Sequence, residues 1–240
     1  MTASAQPEPD TFDRTLEELR AATARLVATA RAATPDELGA ASPLPGWSRA
    51  HVLSHVAQNA RGLRNLATWA RTGVRTPMYA GQEQRDADIE AGARQDAATL
   101  VQQVVDTAAD LDADLAALPP EALATTVEMR GGLRVPGSAL AWLRLREIEV
   151  HHVDLDLDYG IADWDTAFAR RAVEGLVDVW RSRDLPPPVR ITATDTDLDA
   201  VSGSGTTSVR GTTAHLLGWL LGRPGADVRL QGPAVDLPAL

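Results

Sequence analysis

Residues 144–154 read Arg144-Leu145-Arg146-Glu147-Ile148-Glu149-Val150-His151-His152-Val153-Asp154. Glu147 and His151 are four positions apart, so on an α-helix they share one face, and Asp154 falls one turn further along it. An acid and an imidazole so spaced form either a surface ion pair or two ligands of a metal inside a helical bundle, where side chains of adjacent helices converge. The second possibility needs a partner helix, and the chain has one. The stretch from Ser48 to about Arg71 carries His51 and His55, again four apart, beside the apolar strip Val52, Leu53, Val56, Leu63 and Leu66. Four of the five histidines lie on these two segments. One histidine from the earlier segment with Glu147 and His151 makes a His₂Glu set, the ligand type of catalytic zinc, whose fourth position stays open. Spacing alone leaves His51 and His55 both eligible. His152 points roughly 100° away around the helix and reads as a packing group, whereas Glu149 and Asp156 read as solvent-facing. Asp154 is placed to orient a ligand histidine through its other ring nitrogen.

Outward from these two helices, the pattern predicts a four-helix bundle followed by a small α+β domain, with the boundary near residue 160 (domains 1–160 and 161–240). Phe12, Leu16, Leu19, Leu26 and Val27 recur at helical spacing between Thr11 and about Ala33. Thr34-Pro35-Asp36-Glu37 has the form of a capping box with proline at the first helical position, and Ser48 is a candidate N-cap. A long helical stretch is expected from Gln82 to Leu118, mildly interrupted at Gly92 and ended by Pro119-Pro120. A hairpin is expected around Gly131-Gly132, and Ser138 is expected to cap a fourth long helix that Gly160 stops near Asp158. Beyond it the spacing predicts a helix over 164–183, strands at 189–194, 207–210 and 228–231, and a helix over 213–222.

Composition narrows the function. The chain has 240 residues, a net charge of −10 and no cysteine. That excludes a disulfide framework, an iron–sulfur centre and a protein thiol nucleophile. A sequence pI near 4.9 argues against a nucleic-acid partner, which needs clustered cations. No apolar run of membrane length exists, and Met1–Asp10 lacks the basic start and apolar stretch of a signal peptide, so a cytoplasmic protein with no membrane partner is expected. A monomer is the expected state. Arginine as the sole cation, with abundant alanine, reads as the codon bias of a GC-rich genome.

Several stretches resemble one family. Leu44-Pro45-Gly46-Trp47-Ser48-Arg49-Ala50-His51-Val52-Leu53-Ser54-His55-Val56, Met78-Tyr79-Ala80, Arg85-Asp86-Ala87-Asp88-Ile89-Glu90, the 146–155 segment and Gly218-Trp219-Leu220-Leu221-Gly222-Arg223 are similar to motifs of the mycothiol-dependent maleylpyruvate isomerases, whose N-terminal part is a DinB-like metal-binding bundle. The resemblance implies His55, Glu147 and His151 as metal ligands, Zn²⁺ as the first expectation for the metal, and Arg223 as an active-site arginine in a cleft closed by the small domain. It implies that mycothiol, a low-molecular-weight thiol of actinobacteria, supplies the sulfur this chain lacks. The implied reaction adds a thiolate to the cis-alkene of a dicarboxylate substrate, lets the resulting single bond rotate, and eliminates the thiol to give fumarylpyruvate. Without the resemblance, Arg223 reads as a cation favoured at a helix C-terminus. The metal motif by itself also suits thiol transfer to other electrophiles, or a zinc-binding regulatory bundle without chemistry. His₂Glu sites accept nickel, cobalt or iron as well.

Overall fold

The computed structural model of the chain describes residues 9–182, 186–223, 229–233 and 235. It divides into two compact units, Met1–Asp158 and Tyr159–Leu240. The first is a helical bundle and the second a small α+β unit, so the fold class is α+β.

In the first unit, α1 (Pro9–Ala32) is followed by the one-turn α2 (Pro35–Gly39), whose start is the capping box read above: Thr34 accepts from the Glu37 amide and Glu37 reaches back to the Thr34 amide. The second long helix, α3 (Arg49–Thr72), starts at the Ser48 N-cap and ends at Gly73, which takes a left-handed φ of 71°. The stretch expected as one long helix is two, α4 (Gln82–Ala93) and α5 (Ala97–Ala116). Asp96 sits between them with extended backbone and accepts from the Thr99 amide at 2.9 Å, so a new helix is capped where continuation was expected. A short α6 (Pro120–Ala124) leads to the hairpin β1 (Thr126–Glu128) and β2 (Arg134–Pro136), antiparallel with Val127 opposite Val135. Gly131 and Gly132 both adopt positive φ in its turn.

The last bundle helix, α7 (Leu140–Asp154), corrects two expectations. Ser138 does not cap it. The chain enters through a 3₁₀ turn, Gly137–Ala139, so the residue before the helix is already helical rather than extended, and the Ser138 hydroxyl is buried without a partner. The helix also ends well before Gly160, because Asp156 turns to a φ of 49°. Around the bundle α1 packs on α5 and α7, and α3 packs on the same two helices, while α4 lies against α3. Leu26, Leu53, Leu63, Leu66, Leu111, Leu115, Leu145 and Ile148 are fully or almost fully buried between them, each worth roughly 1.5–3 kcal/mol.

In the second unit, α8 (Thr166–Arg181) is capped by Asp165, and β3 (Val189–Ala193), β4 (Asp199–Val201) and β5 (Thr207–Gly211) form a sheet in the order β4-β3-β5. β3 runs antiparallel to β4 and parallel to β5. The final helix, α9 (Thr213–Leu220), packs on β3, β5 and α8. The third strand differs from expectation: β4 is too short to show an alternation, whereas of the expected 228–231 strand Val228 lies outside the described residues and Gln231 forms a single bridge to Arg210. Among the described residues no helix is long and apolar enough to cross a membrane.

Candidate metal centre

The first turn of α3 is organised by a reciprocal cap. The Ser48 hydroxyl accepts from the His51 amide, while the Ser48 amide donates to His51 Nδ1 at 3.2 Å. The other ring nitrogen, Nε2, faces Glu90 Oε1 at 3.1 Å. Both nitrogens of His51 are therefore engaged away from α7. His55, one turn later, is the histidine that faces Glu147. This resolves the choice that spacing left open.

Ligand atoms of His55, Glu147 and His151 all lie within 4.8 Å of one another. His55 Nε2 is 3.1 Å from Glu147 Oε2 and His151 Nε2 is 3.6 Å from the same oxygen. The two rings meet edge to face with centroids 4.5 Å apart, and Trp47 lies 5.6 Å from His55 on another side. Contacts at the ends of the two helices keep them in register. Arg49, at the start of α3, donates through Nε to the Leu155 carbonyl and through Nη2 to that of Asp156 at 2.9 Å. The Ser42 hydroxyl donates to the Asp154 carbonyl at 2.8 Å. These groups satisfy carbonyls left open at the end of α7.

The electrostatics separate the three groups. Burial pushes the His55 imidazolium down, outweighing the pull of Glu147. Burial opposes ionisation of Glu147 too, but hydrogen bonds from His151 and His55 hold its carboxyl well below the usual range. His151 is raised despite burial, by hydrogen bonds to Asp154 and Glu147. Its Nδ1 lies 2.8 Å from Asp154 Oδ2, and Asp154 is only 1% exposed. That is the orienting role expected for Asp154, and it leaves Nε2 aimed at Glu147.

Two neighbours of the triad carried no assigned role in the sequence. The Asn59 amide donates to Glu147 Oε2 at 3.2 Å, one turn beyond His55. Arg85 Nη2 donates to His55 Nδ1 at 3.1 Å; a guanidinium has no acceptor, so Nδ1 is the unprotonated nitrogen in this arrangement. The loop before α4 reaches the site because Gly62 leaves room for Met78 and Tyr79: a Cβ there would meet Met78 Cγ at 2.8 Å. The Arg85 guanidinium in turn lies over the Tyr79 ring. In the sequence Asn59 stood out only by its polarity, and Arg85 only by opening one of the stretches that carry the family resemblance.

The remaining residues fall as follows. His152 is buried and pairs with the Thr29 hydroxyl at 2.9 Å, as a packing group should. Glu149 departs from expectation: it is 3% exposed and forms an ion pair with Arg25 at 2.7 Å, because α1 covers that side of α7. Arg223 belongs to the second unit, just beyond α9, where its Nη1 donates to the Leu221 carbonyl at 2.6 Å.

The family model for the mycothiol maleylpyruvate isomerase N-terminal domain matches residues 19–156, more than half of the chain. The chain belongs to this family. Among solved structures it is similar to the mycothiol-dependent maleylpyruvate isomerase, at 28% identity, a TM-score of 0.85 and 95% coverage of both chains. A histidine-to-alanine mutant of the mycothiol-dependent maleylpyruvate isomerase matches at 27% identity with the same score and coverage. YfiT from Bacillus subtilis, a four-helix bundle of unusual topology, matches at 13% identity over 65% of this chain and 90% of its own, with a TM-score of 0.55, and shares the fold. No curated protein matches the chain in sequence.

The donor set fits a divalent cation. Two imidazoles and one ionised carboxylate converge without sulfur, His151 Nδ1 is engaged by Asp154 so that Nε2 is directed inward, and Glu147 stays ionised.

Proposed function

We propose that this chain is a mycothiol-dependent cis–trans isomerase converting maleylpyruvate to fumarylpyruvate. The observation that carries the reading is the convergence of His55, Glu147 and His151 in a chain without cysteine. Membership of the family and the likeness to isomerase structures over 95% of the chain support it. His55, Glu147 and His151 would hold a divalent metal, with Zn²⁺ the first candidate. Such a metal supplies acidification of a bound thiol, so that a thiolate is available at neutral pH.

The chain's own residues do the rest. Asp154 keeps the His151 ring oriented, and Asn59 fixes the Glu147 carboxylate. Trp47 and the buried face of α3 limit water around His55. The substrate is a small dicarboxylate, and Arg223 is assigned as its carboxylate partner, since a guanidinium fork matches a carboxylate and stabilises an enolate that develops beside it. The alkene of the substrate turns only while a nucleophile is added to one of its carbons, and the trans product follows when that bond breaks again.

Incubating metal-loaded protein with maleylpyruvate, with and without mycothiol, tests the reading by the change in ultraviolet absorbance. Thiol-dependent conversion to fumarylpyruvate is expected. Absence of thiol-dependent turnover, or accumulation of a stable thiol conjugate in the mass spectrum, overturns isomerisation.

A further inference from the structure

Arg85 on α4 reaches into the triad, with Nη2 donating to His55 Nδ1 at 3.1 Å. Its guanidinium lies over the Tyr79 ring, 5.8 Å from the centroid. Nη1 pairs with Asp86 at 2.9 Å, but that carboxylate is exposed and its pull is screened by water. Two other arginines of the same unit are committed elsewhere: Arg49 is bonded to the carbonyls of Leu155 and Asp156, and Arg144, 1% exposed, is turned to the Val56 carbonyl and Asn59. The side chains of Arg85 and Glu147 keep 12% and 27% of their surface open to solvent, so neither is sealed off.

The contact of Arg85 with His55 and a cation held on the same ring compete for one proton. A cation taken through Nε2 leaves the ring proton on Nδ1, and a guanidinium, which has only donors, then finds an N–H where it found an acceptor. A partly desolvated donor edge so freed is satisfied by an anion. The proposed substrate carries two carboxylates, of which Arg223 is assigned one. In a chain of net charge −10 the other needs a cation of its own.

We infer that Arg85 is a second carboxylate anchor for the substrate, its Nη2 edge serving the anion whenever His55 carries its proton on Nδ1. The identity of the dicarboxylate rests on the isomerase reading; the anchoring itself is a matter of binding. The planar fork of Arg85 matches a carboxylate, and stacking on Tyr79 fixes its plane.

The test is isothermal titration of the zinc-loaded chain, without thiol, with maleate and with maleamate, in which one carboxylate is replaced by an amide. Arg85→Ala is expected to weaken maleate binding about tenfold or more and maleamate binding less than about threefold, with zinc content and circular dichroism unchanged. In turnover the same variant should raise the KM for maleylpyruvate and leave the half-saturating mycothiol concentration where it was. Equal losses for the two probes, no binding of maleate by the parent chain, or a change confined to the mycothiol dependence overturns the inference. Arg85-dependent maleate binding without turnover of maleylpyruvate removes isomerisation and keeps the anchor, whereas thiol-dependent turnover with unchanged maleate affinity in Arg85→Ala does the reverse.

Discussion

His55 shows how much depends on which nitrogen of a ring carries a proton. In the arrangement described, Arg85 donates to Nδ1, which places the proton on Nε2 facing Glu147. A cation taken up through Nε2 needs that nitrogen free, with the proton on Nδ1, where it opposes the Arg85 donor. Arg85→Ala is therefore expected to tighten metal retention in competition with a chelator, and a weaker hold would show that Arg85 supports the loaded ring instead. Alanine at His55, Glu147 or His151 should each abolish retention measured by elemental analysis after dialysis. His152→Ala should keep the metal while losing about 1–3 kcal/mol of stability, since a buried imidazole is replaced by a cavity and the Thr29 hydroxyl keeps only its bond to Asp158; loss of metal there, with retention in His151→Ala, would reverse the ligand register. Asp154→Asn should weaken retention by roughly 10–100-fold, because the orienting acceptor for His151 becomes ambiguous.

The helices carry their own tests. Gly92 on α4 faces Ser54 on α3 so closely that a Cβ would lie 2.2 Å from the Ser54 hydroxyl, which itself donates to the Ile89 carbonyl. Gly92→Ala should therefore destabilise by about 1–3 kcal/mol in denaturant titration, although alanine favours an isolated helix over glycine by about 1 kcal/mol. Net stabilisation would mean that α4 is not pressed against α3. At the start of α5, hydrogen bonds from the Thr99 side chain and amide hold the Asp96 carboxyl below its ordinary 3.8. A depressed folded value contributes stability above the unfolded value and loses it as pH falls through the folded one. Asp96→Ala should thus lower the melting temperature at pH 7, and its gap from the parent chain should stay constant down to about pH 4 and close below. A gap that widens in acid would remove Asp96 from the cap. The same region shows what a sequence hides: hydrophobic spacing runs on through 82–118, and the break is decided by Asp96 finding the Thr99 amide and Gly92 finding Ser54.

For the molecule as a whole, a ligand that binds only the folded state raises stability by mass action, about 2.7 kcal/mol at a hundredfold excess over its dissociation constant. Stripping the metal with a chelator should lower the melting temperature of the parent chain and leave that of Glu147→Ala unmoved; equal shifts in both would place the metal elsewhere. If Arg223 meets the substrate, Arg223→Ala should cut thiol-dependent turnover while leaving metal content and melting temperature unchanged, and full activity would make it a helix-end cation only.

The caps of α2 and α3, the apolar stripes of α1 and α3, the hairpin glycines and the shared face of Glu147 and His151 were all legible in the chain, because each depends on residues within one or two turns of each other. So was the family, through motifs that are themselves local. The choice of His55 over His51, the burial of Glu149 against Arg25, the contacts of Asn59 and Arg85 with the triad, and the bonds of Arg144 to Val56 and Asn59 join residues that lie far apart in the sequence. His55 and Glu147 alone are 92 positions apart. Helical periodicity states which side of a helix is apolar, but the polar group that meets a given side chain is settled only when the helices pack, since packing fixes their relative rotation and height to within a hydrogen bond.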